Sequence, residues 1–155
     1  METKEYVLGL NAGSILTVVG KSGSGKTTLA IQMAANLVDQ FDEAQIIHLD
    51  FERATRKERI LTLTGWSEKH YNEKYMLLNS AISAESVYEL AKGAAKVKLE
   101  NKEQYQYDTG KLDLEGNPIM ELPPTVIIID SIATMFSKNI NDEDDFVAFI
   151  RKCEK

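Results

Sequence analysis

Residues Gly20 to Thr27 follow the pattern G-x-x-x-x-G-K-[ST], whose residue types and spacing suit the binding of a polyphosphate. The glycines let the backbone curl so that successive N–H groups point inward as an anion nest, and the positive end of a following helix adds to the attraction. In such a nest Lys26 would reach the β- and γ-phosphates as a point charge. The Thr27 hydroxyl would be placed to ligate the Mg²⁺ that accompanies a nucleotide.

The flanking sequence favours this interpretation over that of a flexible turn. Ser14 to Val19 is a short, mostly apolar and β-branched run that predicts a buried strand. From Thr27 to about Gln40, apolar residues recur with the spacing of one helix face. A loop between a strand and a helix is the setting in which the pattern binds phosphate, so the sequence predicts a nucleotide-binding site.

Two acidic residues are candidates to complete this site. Asp130 follows the apolar run V-I-I-I and would hold Mg²⁺ through water, the role of a Walker-B aspartate. Hydrolysis also needs a group that orients or deprotonates water, and Glu52, which ends Q-I-I-H-L-D-F-E, is the candidate base. Asp50 is a competing carboxylate. The structural alternative for Glu52 is a solvated acid paired with Arg53 or Arg56.

Several other residues invite a functional role but fit a structural one better. The two histidines lack partners at metal-ligand spacing, and the tryptophan fits a packing role better than a role as a stacking surface for adenine. Two tyrosines suit cross-strand packing, and two cations suit a solvated helix face. These residues are His48, His70, Trp66, Tyr105, Tyr107, Lys57 and Arg59.

The elements that must position these groups alternate between strand and helix. One helix would end near Gly65, and another would be capped by Ser83. Right-handed crossovers then give an α/β fold with a parallel sheet covered by helices on both faces, where ligands bind at the carboxyl ends of the strands. The remaining predicted strands are 45–49, 75–78 and 125–129, and the predicted helices are about 27–40, 55–63, 84–98 and 142–152.

The segment 100–124 breaks this alternation. Tyr105 and Tyr107 alternate with polar residues, Asp108 to Lys111 can turn, and Leu112 and Leu114 alternate again. Glycine and proline between residues 116 and 124 argue against a core element. The pattern predicts an inserted β-hairpin.

Length and charge bound what the chain can do. With 155 residues it fits one core, spanning residues 1–155. No apolar run reaches the roughly 18 residues that a membrane span needs, and the first ten residues lack a secretory signal, so we expect a cytoplasmic address without a membrane. The lone Cys153 agrees with a reducing compartment. The net charge of −6 is opposite in sign to the footprint of a domain that grips nucleic acid.

Three stretches, taken together, resemble the ATPase core of RecA-like recombinases of phage or bacterial origin. They are L-G-L-N-A-G-S-I-L-T-V-V-G-K-S-G-S-G-K-T-T-L-A, H-L-D-F-E-R-A and V-I-I-I-D-S-I-A-T-M, within about Val7 to Phe136. The resemblance implies catalytic roles for Glu52 and Lys26 and metal binding by Thr27 and Asp130. The nucleotide-binding residues it implies are Gly20, Lys21, Ser22, Gly23, Ser24, Gly25, Lys26, Thr27 and Thr28.

The resemblance also implies a function and partners. Members of this family use ATP and Mg²⁺, form filaments on single-stranded DNA, and act in DNA recombination and repair as DNA-dependent ATPases. Because the chain stops at Lys155, before the family's γ-phosphate sensor strand and DNA-binding loops, we expect a fragment that binds nucleotide better than DNA and hydrolyses it weakly at most. The tyrosine that often covers adenine has no counterpart in R-A-T-R-K-E-R.

Three other functions share parts of the same pattern. A hexameric helicase or motor of the same fold would form closed rings, and a nucleotide-gated binding module would not hydrolyse. A small P-loop kinase would transfer phosphate to an acceptor, but such enzymes usually place the Walker-B strand soon after the loop helix. Here two predicted strands lie between the loop and Asp130.

Overall fold

The computed structural model describes residues 13–79, 84–132 and 134. From the first helix onward the described elements follow the predicted order of strands and helices, with two additional short helices and with a hairpin before the last described strand. The elements are α1 (Lys26–Val38), β1 (Gln45–Asp50), α2 (Lys57–Thr64), α3 (Glu68–Lys74), β2 (Tyr75–Leu78), α4 (Ala84–Glu100), α5 (Lys102–Tyr105), β3 (Tyr107–Leu112), β4 (Pro118–Glu121) and β5 (Thr125–Asp130).

Three of the strands form a parallel sheet in the order β2-β1-β5. The central strand β1 pairs with β5 from Gln45 opposite Thr125 to Asp50 opposite Asp130, without a register shift. Because parallel strands end at the same edge, the two aspartates close the sheet side by side. The predicted α/β fold with a parallel sheet is therefore confirmed.

Side chains that alternate along β1 bury two different cores. Ile46 packs with Ile31 and Val38 of α1 and with Ile60 of α2 on one face. On the other face Ile47 and Leu49 pack with Val87 of α4. This division follows from the period of two along a strand, and it confirms helices on both faces of the sheet.

The region between α4 and β5 contains a hairpin, as predicted, but the predicted turn at Asp108 to Lys111 is wrong, because these residues lie within β3 and the chain turns at residues 113–117. Strands β3 and β4 pair antiparallel, and Asp113 Oδ1 accepts the backbone N–H groups of Glu115 and Asn117 in the turn that joins them. The Tyr107 ring lies 5.0 Å from the Phe41 ring, centroid to centroid. The hairpin thus contacts the chain just beyond α1 through an aromatic pair. The short helix α5 before it is not predicted, and it contains Tyr105, which the sequence pattern wrongly placed in the hairpin beside Tyr107.

One predicted strand is wrong. Residues 14–20 belong to neither sheet of the described chain, and their side chains are mostly exposed, Val19 at 88%. An apolar, β-branched run predicts burial, but a strand also needs a neighbour with which to exchange backbone hydrogen bonds. Among the described residues β5 lies at the sheet edge and pairs with β1 alone.

Two further predictions, the Ser83 cap and the helix over 142–152, fall outside the described residues. In the described part of the chain, no helix combines the length and apolar character that crossing a membrane requires.

Candidate nucleotide-binding site

The loop before α1 has the backbone geometry of a phosphate cradle. Gly25, the residue before the helix, has φ 89°, a left-handed conformation that glycine adopts at little cost. A Cβ on Gly20 would lie 2.8 Å from Ser24 Oγ, so the loop closes tightly on itself at that position. The Ser24 N–H donates to the Lys21 carbonyl at 3.2 Å and holds the curl.

The first turn of α1 keeps its N–H groups available. No side chain caps this helix end, and no acidic residue occupies its first turn. The N-terminal N–H groups and the positive end of the helix dipole can therefore act on an external anion. Lys26 Nζ donates to the Lys21 carbonyl at 2.9 Å, which places the ammonium over the same loop.

The loop helix is joined to β5 at the predicted metal-binding position. Thr27 Oγ1 donates to Asp130 Oδ2 at 2.6 Å, across 103 residues of sequence. The sequence predicted both as groups around one Mg²⁺, and the structure brings them together. A hydroxyl and a carboxylate are hard oxygen ligands, which suit a cation that takes its remaining ligands from water and nucleotide phosphates.

The described residues hold no cluster of three or more histidine, cysteine, aspartate or glutamate side chains that could bind a metal without such help.

Asp50 and Glu52, the two candidate bases, lie in different environments. Asp50 is fully buried at 0% exposure, and its Oδ2 accepts the Thr55 N–H at 2.7 Å. Asp50 Oδ1 has no hydrogen-bond partner among the described residues. Glu52 is exposed, and its backbone N–H donates to the Asp130 carbonyl at 3.3 Å. Both acids thus lie at the sheet edge that carries Asp130, but only Glu52 has its side chain in solvent.

Next to Asp50 along the same face of β1, His48 is buried in the sheet. Its Nδ1 hydrogen-bonds the Tyr75 hydroxyl at 2.7 Å. Burial lowers the His48 pKa, and the nearby charges of Asp130 and Asp50 oppose this effect. Burial also raises the Tyr75 pKa, beyond the range in which a tyrosine titrates under ordinary conditions. The contacts of His48 support the structural role that we expected.

Arg59 lies on an exposed face of α2, as the sequence predicts, and it also contacts the loop helix. The side chain is exposed, yet its Nη2 donates to Thr28 Oγ1 at 2.9 Å. A hollow of about 410 Å³ beside it is lined by Ala54, Arg56, Glu58 and Arg59 itself. The contact depends on how α2 packs against α1, which the sequence pattern does not reveal.

The other residues considered in the sequence have structural contacts. Trp66 Nε1 donates to Asp39 at 3.0 Å, and its ring packs edge-on against His70. His70 itself bonds the same carboxylate at 2.9 Å. Tyr107 packs on Phe41 and reaches Glu121 across the hairpin, as cross-strand packing predicts. Lys57 forms an ion pair with Glu68, at 3.3 Å.

Comparison with known proteins agrees with a phosphate-binding loop. The DNA repair protein RadA of Halalkalibacterium halodurans is 28% identical over 145 residues, which cover 94% of this chain and 24% of that protein. The chain therefore spans about a quarter of the length of that relative. No solved structure matches this chain.

A family model gives the broader match. The model described as Phosphoribulokinase / Uridine kinase family matches residues 15–154, which include the loop, both candidate bases and Asp130. The fold and the loop make the chain a P-loop NTPase or kinase, a class that uses ATP, typically with Mg²⁺, for hydrolysis or phosphoryl transfer. By the extent of that match, the chain belongs to the Phosphoribulokinase / Uridine kinase family.

Proposed function

We propose that this chain is the ATP-binding and hydrolysing core of a RecA-like DNA recombination or repair protein that acts on single-stranded DNA. The observation that carries the proposal is the end of the β1–β5 pair, where Glu52 is bonded through its backbone to Asp130 and Asp130 to Thr27. One carboxylate that binds the metal and another that activates water, at the ends of adjacent strands, suit hydrolysis. The RadA similarity, which covers nearly the whole chain, supports this choice.

In this proposal each side chain has a separate task. The loop N–H groups and Lys26 bind the β- and γ-phosphates, and Thr27 with Asp130 holds the Mg²⁺, which neutralises charge on the phosphates when it is bound. Glu52 orients the attacking water and accepts its proton. ATP, single-stranded DNA and further copies of the same protein, in a filament or a ring, are the proposed partners.

A small-molecule kinase is the second candidate, because the matching family model is named for kinases. The family match supports a kinase at least as well as it supports an ATPase. The order of elements along the chain argues against a kinase, because β1, β2 and the hairpin all lie between the loop helix and β5. The kinase reaction would use the same loop and metal site but direct the phosphoryl group to an acceptor hydroxyl instead of water.

One experiment separates the two candidates. The protein is incubated with Mg²⁺ and γ-labelled ATP, with or without single-stranded DNA, and with a panel of nucleosides and sugar phosphates. The proposal expects labelled inorganic phosphate, formed faster with DNA. Label transferred to an organic acceptor would refute it in favour of the kinase.

The Lys26→Ala variant tests the nucleotide site itself. Loss of one or two charge-assisted hydrogen bonds should weaken ATP binding by roughly ten- to a hundred-fold in titration calorimetry. Lys69→Ala is a matched control, because Lys69 lies on the surface of α3 in an ion pair with Glu73. Equal ATP affinity in wild type and Lys26→Ala would contradict the assignment of the loop.

A further inference from the structure

A second cation lies beside the phosphate loop, on the side away from Asp130. Arg59 of α2 donates from Nη2 to Thr28 Oγ1 at 2.9 Å, so its guanidinium lies against the first turn of α1. No carboxylate in the described part of the chain forms an ion pair with Arg59, whereas Lys57 on the same helix is paired with Glu68. The positive charge of Arg59 is therefore available to an anion.

The two threonines at the start of α1 point to different neighbours. Thr27 bonds Asp130 of β5, while Thr28 bonds Arg59 of α2. Consecutive residues of an α-helix are rotated by about 100°, which explains the separation. If Thr27 and Asp130 hold the Mg²⁺ of a bound nucleotide, as in the proposed function, the end of the polyphosphate that is not bound to the metal would lie toward Thr28.

Hydrogen-bond direction supports this orientation of the ligand. The Thr28 oxygen accepts from Arg59, so its own proton remains to be donated. The hydroxyl and the guanidinium thus present donors to the same space. Arg59 also lines a hollow of about 410 Å³ together with Ala54, Arg56 and Glu58, so the guanidinium is accessible from outside the loop.

We propose that Arg59 is the side chain that binds the α-phosphate of the nucleotide, together with the Thr28 hydroxyl. The proposal rests on the nucleotide site of the proposed function and adds a phosphate contact outside the loop. Arg59 thereby favours ligands that carry an α-phosphate on a nucleoside over short inorganic polyphosphates. The rival explanation is that the Arg59–Thr28 bond only ties α2 to α1.

Titration calorimetry with Mg²⁺ and three ligands, ATP, ADP and inorganic pyrophosphate, tests this proposal. In Arg59→Gln, ATP and ADP should each bind about tenfold more weakly, from the loss of a charge-assisted hydrogen bond, while pyrophosphate affinity stays within about twofold. Arg59→Lys, which keeps the charge and loses the planar fork, should fall between the two.

Arg56→Gln is the matched control. It removes the same charge from the same hollow, but among the described residues the Arg56 side chain forms no hydrogen bond to the loop helix, so the ATP affinity of this variant should stay within about threefold of wild type. Thermal unfolding of both variants separates binding from stability. If the Arg59–Thr28 hydrogen bond only stabilises the packing of α2 on α1, Arg59→Gln lowers the melting temperature and leaves the ratios among the three ligand affinities as they are in wild type.

The outcomes distinguish this proposal from the proposed function. Wild-type protein that binds ATP, with Arg59→Gln no weaker than Arg56→Gln, overturns the role of Arg59 and leaves the loop assignment intact. An equal loss for pyrophosphate and ATP places Arg59 on the β- and γ-phosphates and also overturns it. Wild-type protein that binds neither ATP nor ADP refutes the nucleotide site, and the role of Arg59 falls with it.

Discussion

Asp50 and Glu52 are separated by one residue, yet the end of β1 places them in opposite environments. Asp50 is completely buried, and its Oδ2 accepts the Thr55 N–H in the loop that leads into α2. Glu52 lies in the turn that follows β1, with its side chain in solvent and its backbone N–H hydrogen-bonded to the Asp130 carbonyl. A general base must reach the water that it activates, so exposure favours Glu52. Asp50 is better suited to fixing the loop.

The Glu52→Gln variant tests this division of roles. It should bind ATP with nearly wild-type affinity, because Glu52 is not among the groups assigned to phosphate or metal. Turnover should fall about 10²–10⁴-fold, the usual range for loss of a general base. Calorimetry and steady-state phosphate release measure the two effects.

Two further variants complete this test. Glu58→Gln, which also removes an exposed acid near the hollow, should retain turnover. Normal turnover in Glu52→Gln combined with loss in Asp50→Asn, at unchanged stability, would transfer the base role to Asp50.

At the scale of elements, Lys74 joins α3 to the end of α1. Its Nζ lies 3.5 Å from the Val38 carbonyl and also donates to the carbonyls of Phe41 and Asp42. The last carbonyls of a helix lack partners within the helix, and a cation there also matches the negative end of the dipole. Lys74 is 8% exposed, so these bonds are made away from water.

Replacing Lys74 by Met should therefore destabilise the fold. The methionine keeps most of the apolar stem but removes the hydrogen bonds that Lys74 donates to these carbonyls, which should lower the free energy of unfolding by about 1–3 kcal/mol. Urea unfolding followed by circular dichroism measures the change. Lys69→Met on the same helix is the control, because its side chain is 86% exposed and should change stability by less than about 0.5 kcal/mol. Similar losses for both variants would contradict the role of Lys74.

The elements that the sequence predicts are those with a strong local pattern. The strands β1, β2 and β5 agree with prediction to within a residue, because short apolar runs bounded by polar or turn residues specify them. Helix α3 was missed, since E-K-H-Y-N-E-K has little apolar periodicity. It is held instead by the Ser67 cap and by the Lys74 contacts.

The same distinction applies to the site. The meeting of Thr27 and Asp130 could be predicted, because both lie at the carboxyl edge of a parallel sheet. The Arg59–Thr28 contact could not, since it depends on the packing of two helices whose surfaces look solvated in sequence. The run at 14–19 failed for a third reason: apolar composition does not specify which strand, if any, will pair with it.

At the scale of the whole molecule, folding is linked to the protonation of a histidine in the central strand. His48 is fully buried on β1, between β2 and β5, with Nδ1 bonded to Tyr75 and Nε2 without a partner among the described residues. Burial lowers its pKa below the ordinary value of 6.5. The unfolded chain exposes this ring, so below pH 6.5 the unfolded state binds the proton more readily than the folded state.

The free energy of unfolding should therefore fall as the pH drops below about 6.5, and keep falling until the lowered native pKa is reached. The part of the free energy of unfolding that depends on neutral His48 is fully present above pH 6.5. Below that pH it falls by at most about 1.4 kcal/mol per pH unit, the limit for one proton. Chemical unfolding between pH 8 and pH 5.5, above the range in which ordinary carboxylates titrate, isolates this dependence.

His48→Gln and His70→Gln decide whether His48 is its source. The first variant is expected to be less stable at every pH, since it disturbs the Tyr75 bond, but its stability should vary less between pH 7 and 5.5 than that of wild type. The second changes the exposed histidine that bonds Asp39 and should retain the loss of stability below pH 6.5. The deciding quantity is the slope, since a loss of stability alone would follow from any substitution in the central strand. An unchanged slope in His48→Gln would show that this ring is not the group that links folding to pH.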